Sequence, residues 1–109
     1  MQFKSGANAN MTSYRGEITT TFSELCTVFG KPDVGPNADL DKVTCEWCLT
    51  FADGTIATIY DWKTGRTPMG FYEWHIGGHS GSKAVELVTD LINLHRDPLV
   101  KMVKNYEPQ

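Results

Sequence analysis

Positive charge is the first thing this chain has too little of. Its 109 residues carry 10 lysines and arginines against 13 aspartates and glutamates, for a net charge of −3. Duplex binding runs on a basic surface that displaces counterions, so no duplex nucleic acid is expected as a partner, and an anionic ligand would need a local set of donors. Long apolar runs are also missing. No stretch approaches the ~20 residues of a membrane span, and the opening MQFKSGANANMTSYRG lacks the apolar core of a secretion signal. The expectation is a cytoplasmic protein with no membrane partner. Cysteine is scarce and odd in number: Cys26, Cys45 and Cys48. That count does not suit a secreted disulfide scaffold, and it makes the sequon Asn10-Met11-Thr12 a chance match.

What is present suits a folded domain. Hydrophobic residues make up 40% and charged ones 21%, enough for one modest core and too few residues for two. Residues 1–14, small and polar, are expected as a flexible arm, and 15–109 as a single domain. RGEITT (15–20) suits a short strand. Thr21-Phe22-Ser23-Glu24 fits a capping box in which Glu24 reaches back. Phe22, Leu25, Cys26 and Phe29 then follow on one helical face, with Gly30 as a left-handed stop and Pro32 behind it. In KVTCEWCLTF the residues Val43, Cys45, Trp47, Leu49 and Phe51 share one strand face. Asp53-Gly54 is a hairpin signal leading to TIATIYDW, and GFYEWHI makes a further strand. Ala84, Leu87, Val88, Leu91, Ile92 and His95 mark a second helix, and Asp97-Pro98 opens a short last one. The order β-α-β-β-β-α-α predicts an α+β fold: a small antiparallel sheet with helices on one face, the other partly open or covered by another subunit.

The stretch WHIGGHSGSK, at the entrance to that second helix, is the densest cluster of chemistry-bearing residues. Gly77, Gly78 and Gly81 permit close approach of a ligand to backbone N–H groups. The helix start adds its unpaired donors, and Ser80, Ser82 and Lys83 add side-chain ones. Together they form a candidate cradle for a phosphate or carboxylate, weighed against a glycine turn with a serine cap, which explains the same residues about as well. The order is not that of a Walker A loop. Tyr60, Trp62 and Trp74 are candidates to stack a base, and Arg66 and Lys63 to add positive charge. His75 and His79 complement charge; acid–base chemistry would need a nucleophile or an orienting carboxylate in an interpretable pattern. No catalytic residue is assigned, and a non-enzymatic protein is expected. Zinc is weighed and rejected: Cys45 and Cys48 differ by an odd number within an alternating strand, so they point to opposite faces. No metal and no cofactor are expected.

EWCLTFADGTIATIYDWK and WHIGGHS resemble a signature of small proteins encoded by tailed bacteriophages and related viruses, over roughly residues 15–95. That resemblance implies a viral protein working in the bacterial host cytoplasm against host defence. By analogy with phage proteins that sequester nucleotide signals, it implies a non-enzymatic sponge for a small phosphorylated nucleotide, active as a homo-oligomer. The rivals are a protein–protein inhibitor of a host defence or replication enzyme and a small phosphoesterase using His75 and His79.

Overall fold

The computed structural model describes residues 3–6, 11–35 and 42–97. The elements run β1 Phe3–Ser5, β2 Ser13–Thr20, α1 Phe22–Phe29, β3 Glu46–Phe51, β4 Ile56–Tyr60, β5 Tyr72–Gly78 and α2 Ala84–Arg96. The strands form one sheet in the order β1-β3-β4-β5-β2, with every pair antiparallel. The fold is α+β, as the element order predicts. Two details differ. Phe3–Ser5, expected in the loose arm, pairs with Leu49–Phe51, because the Phe3 ring meets Phe29 and Phe51 and so has apolar surface to bury. The strand expected to end at Ile76 continues through Gly77 and Gly78. The helix expected after Asp97-Pro98 lies outside the described residues. No helix among the described residues is long and apolar enough to cross a membrane.

Strand alternation sorts the side chains. Trp47, Leu49 and Phe51 of β3, Ala57 and Ile59 of β4, and Trp74 and Ile76 of β5 form one core with Leu25 and Phe29 of α1 and Ala84, Val88 and Ile92 of α2. At its centre the Trp47 and Trp74 rings meet edge to face, 5.7 Å apart and inclined by 81°. Both indoles are fully buried. At ~25 cal/mol per Å² and roughly 150–250 Å² each, that burial favours folding by about 4–6 kcal/mol per ring as an upper estimate. Neither ring strands its N–H: Trp47 donates to the Gly30 carbonyl at the end of α1, and Trp74 to Thr20 at the end of β2.

Thr21 caps α1 by accepting from the Glu24 N–H, as the motif predicts. The Glu24 carboxylate is engaged elsewhere. It accepts from Arg96 Nη2 at 2.6 Å and lies 3.0 Å from His95 Nδ1, while the Thr20 hydroxyl also donates to it. The start of α1 is thereby pinned to the end of α2. Hydrogen bonding from Arg96, which outweighs the burial cost, holds the Glu24 carboxyl down at about 2, against an ordinary value of 4.5.

A carboxyl with a lowered folded-state pKa contributes stability that is complete above its unfolded value and is lost as pH falls toward its folded one. Acid titration of wild-type stability is therefore expected to show a loss between about pH 4.5 and pH 2 that Glu24→Gln lacks. At neutral pH the variant is expected to lose about 1 kcal/mol, kept small by the exposure of Arg96, which lowers Tm by about 4–8 °C. Calorimetry of both proteins across that range checks it.

Candidate functional site

The sheet face opposite the helices carries Glu46 and Cys48 of β3, Thr58 and Tyr60 of β4, and His75 and Gly77 of β5, which follows from their registers. β2 joins them through a bulge. Tyr14 and Glu17 are an odd number of residues apart, so an unbroken strand would set them on opposite faces. The register shifts between Tyr14 and Gly16, leaving Arg15 as the extra residue, so Tyr14 pairs with Gly77 while Glu17 pairs with His75. Arg15 Nε is used inward, donating to the Gly78 carbonyl at 3.1 Å.

Trp62 reaches this face from just beyond β4, and its position depends on Asp61. The Asp61 side chain is fully buried and accepts from the Thr44 N–H at 2.7 Å, the Thr44 hydroxyl at 2.6 Å, the Cys45 N–H at 3.2 Å and the Thr64 hydroxyl. Four donors compensate a buried carboxylate as water would. The next residues are held too: the Trp62 N–H donates to the Tyr72 hydroxyl, and Lys63, in the left-handed region at φ 56°, donates its N–H to Lys42.

The result is a cleft of about 450 Å³ lined by Tyr14, Tyr60, Trp62 and His75. Tyr14 and Tyr60 meet the His75 ring edge to face, 5.0 and 5.4 Å away. Trp62 lies nearly parallel to His75, at 22° and 6.4 Å between centroids. That distance bounds the gap from above, and a flat ring in contact with both needs about 7 Å. Trp62, 41% exposed just beyond β4, would have to swing outward to admit one. Charge is close by. Tyr14 donates to Glu17 Oε1 at 2.9 Å, and that oxygen lies 4.0 Å from His75 Nε2. Lys42 and Lys63 place their ammonium groups 5.7 and 5.9 Å from the Trp62 centroid. Burial, and then the Glu46 charge, push the Tyr60 phenol above its ordinary 10, so it remains a neutral donor near pH 7.

The structure thus brings Tyr60, Trp62 and His75 together and separates them from the other expected site residues. Trp74 is buried on the helix face beside Trp47. Gly77 and Gly78 are strand residues paired on both sides, with Tyr14 and Thr58 and with Ser13 and Ala57. Their lack of a side chain answers close packing: a Cβ on Gly78 would lie 2.6 Å from Ala84 Cβ, and one on Gly77 2.4 Å from Thr58 Oγ1. His79, Ser80, Gly81, Ser82 and Lys83 form the turn into α2, where His79 accepts from the Ser82 N–H and Ala84 donates weakly to Ser82 Oγ at 3.4 Å. From His75 to Gly78 along β5 is about 10 Å, so this turn and the aromatic cleft are different places. Arg66 is exposed in the loop after Trp62. Tyr14, Glu17, Glu46 and Asp61 are the residues that sequence reasoning missed.

Cys45 is buried in the core and Cys48 lies on the other face, hydrogen-bonded to Glu46. Burial raises both thiols to about 12, which leaves them unreactive. Among the described residues no three His, Cys, Asp or Glu side chains gather to hold a metal ion.

Replacing Asp61 by Ala orphans buried N–H groups and is expected to cost about 2–4 kcal/mol. Because Asp61 holds the Trp62 loop, the surviving folded fraction should show faster acrylamide quenching of Trp62 than wild type. Unchanged quenching would mean that the loop is held by something other than this carboxylate.

Comparison with known proteins adds no relative: no family model, no curated protein and no solved structure matches the chain.

Proposed function

We propose that this protein binds, without turnover, a small phosphorylated nucleotide whose base enters the cleft of Tyr14, Tyr60, Trp62 and His75. The observation that carries the reading is the near-parallel pair of Trp62 and His75 rings, at the edge of a cleft walled by two tyrosines. Every base has a π face, and stacking on an exposed ring contributes about 1–3 kcal/mol. Lys42 and Lys63, already beside the Trp62 ring, supply positive charge for the phosphate. This replaces the glycine–serine turn as the anion partner, since Gly77 and Gly78 belong to the sheet. The resemblance to small phage proteins supports a host defence signal as the nucleotide and sequestration in the host cytoplasm as the outcome. A second copy of the chain over the open face would complete the enclosure of the ligand.

A protein partner is the second reading, favoured by Met69 and Phe71, exposed to 62% and 79% in the loop between β4 and β5. Recovery from host lysate of a stoichiometric protein, with no nucleotide, would support it.

The test is a titration with mono-, di- and cyclic nucleotides followed through tryptophan emission. Trp47 and Trp74 are buried, so quenching reports Trp62. Tyr60→Ala, and Trp62→Ala followed by calorimetry because it lacks the reporter, are each expected to weaken binding by about 5- to 150-fold. Lys63→Ala should weaken it less, and Lys83→Ala not at all. The nucleotide should be recovered chemically intact after heat denaturation; a cleaved product would make the protein an esterase. If no nucleotide quenches Trp62, or if Lys83→Ala abolishes binding, stacking in this cleft is refuted.

A further inference from the structure

A second groove, of about 290 Å³, shares Tyr60 and Trp62 with the aromatic cleft but differs from it chemically. Its other walls include the Glu46 carboxylate and the hydroxyl residues Thr58, Ser13 and Thr12, with Gly77 at its floor. We propose that this groove is a subsite for the sugar hydroxyls of the nucleotide, so that the protein selects ribonucleotides over forms lacking those hydroxyls. The inference rests on the reading of the aromatic cleft as a base site.

Three observations support it. Glu46 and Tyr60 are direct partners across β3 and β4, so both side chains rise on the same sheet face from backbones one strand spacing, about 4.8 Å, apart. That is the scale of the step from a base to its attached pentose. The carboxylate is also held ready. The Cys48 thiol donates to its Oε1 at 3.2 Å, and among the described residues no hydrogen bond engages Oε2. An ionised carboxylate only accepts, so it favours groups that donate and repels phosphate. A vicinal diol donates twice, and the threonine and serine hydroxyls can turn to donate or accept. The third observation is Gly77. A Cβ there would lie 2.4 Å from Thr58 Oγ1 and 3.5 Å from Tyr60 Cε1, so the groove is floored here by backbone, with the Thr58 side chain packed beside it. Polarity thus divides the ligand: the rings take the base, the Glu46 groove the sugar, and the lysines beside Trp62 the phosphate.

The experiment measures binding of adenine, adenosine and 2′,3′-dideoxyadenosine, and of the guanine series, to the full chain by calorimetry. In wild type, the nucleoside of the preferred base is expected to bind at least about tenfold tighter than its dideoxy form, the value of one hydrogen bond to a charged acceptor. Glu46→Gln, which keeps the shape and removes the charge, should bring that ratio down to about threefold or less while leaving dideoxynucleoside affinity unchanged. Gly77→Ala is expected to weaken the nucleoside more than the free base. Equal affinities for nucleoside and dideoxynucleoside in wild type, with the free base still bound, overturn the sugar subsite and leave base stacking standing. Glu46→Gln weakening all three ligands alike overturns it too. Absence of binding by every base and nucleoside while a nucleotide still quenches Trp62 overturns the sugar subsite alone; absence of binding by the nucleotides as well takes down both readings together.

Discussion

Among the described residues helices cover one face of the five-stranded sheet and leave the other without a helix, and this one-sidedness governs the rest of the described structure. Side chains alternate along a strand, so each residue sent into the core fixes its neighbour on the other side. Trp74 goes inward to meet Trp47, and His75 must therefore face outward to Tyr60. A fully covered sheet would need apolar residues on both faces. Here the second face instead mixes Glu17, Glu46 and Thr58 with rings that are only partly buried. Rings left open to water beside acceptors and lysines are of little use to the core. They are suited to contact with something that is not part of the fold.

The open face would still be featureless without two local devices. The bulge at Arg15 switches the parity of β2 and adds Tyr14 to the ring cluster. Asp61 then fixes the chain where β4 ends, so that Trp62 projects over the sheet instead of trailing into a loop. A buried carboxylate of this kind is costly unless every lone pair is used, and Asp61 has four donors to use them. An asparagine in its place would present an NH₂ to one pair of those donors. The need for acceptors on both sides is a physical reason for aspartate at this position.

Much of this fold was legible in the sequence because its strongest signals are local. The spacing of Phe22, Leu25 and Phe29, the glycine stop at position 30 and the alternation through Trp47, Leu49 and Phe51 each follow from one element alone. The site was legible only in part. Tyr60, Trp62 and His75 were marked by residue type, as rings able to stack a base and as an imidazole able to complement charge. Trp74 could not be told from Trp62 by residue type, since only the placement of the helices decides which face is closed. Gly77 and Gly78 looked like a turn because glycine is permissive there. The structure uses them because Thr58 and Ala84 come too near for any side chain. Tyr14 was hidden by the bulge, which breaks the alternation that would have revealed it. Glu24 shows the same limit: the capping motif located the helix start correctly, but Arg96 and His95, distant in sequence, claimed its carboxylate.

The charges around Trp62 bear on which ligand the rings suit. Aromatic clefts with nearby carboxylates also hold quaternary ammonium groups, through attraction of a cation to the ring face. In this cleft that attraction is already in use, because Lys42 and Lys63 of the chain itself stand over Trp62. A cationic ligand would have to displace an ammonium group of like charge from that ring, gaining little by the exchange. A neutral flat ring carrying an anionic tail meets no such conflict: on the proposed reading it would stack beside the near-parallel Trp62 and His75 and leave the lysines free to turn toward its phosphate. Glu17, bonded to Tyr14, and Glu46, paired with Tyr60, would then act on hydrogen-bond donors of such a ligand and not on its net charge. The two lysines weaken a cation cage, and with the two carboxylates they are the charges that the proposed nucleotide reading assigns to separate parts of the ligand.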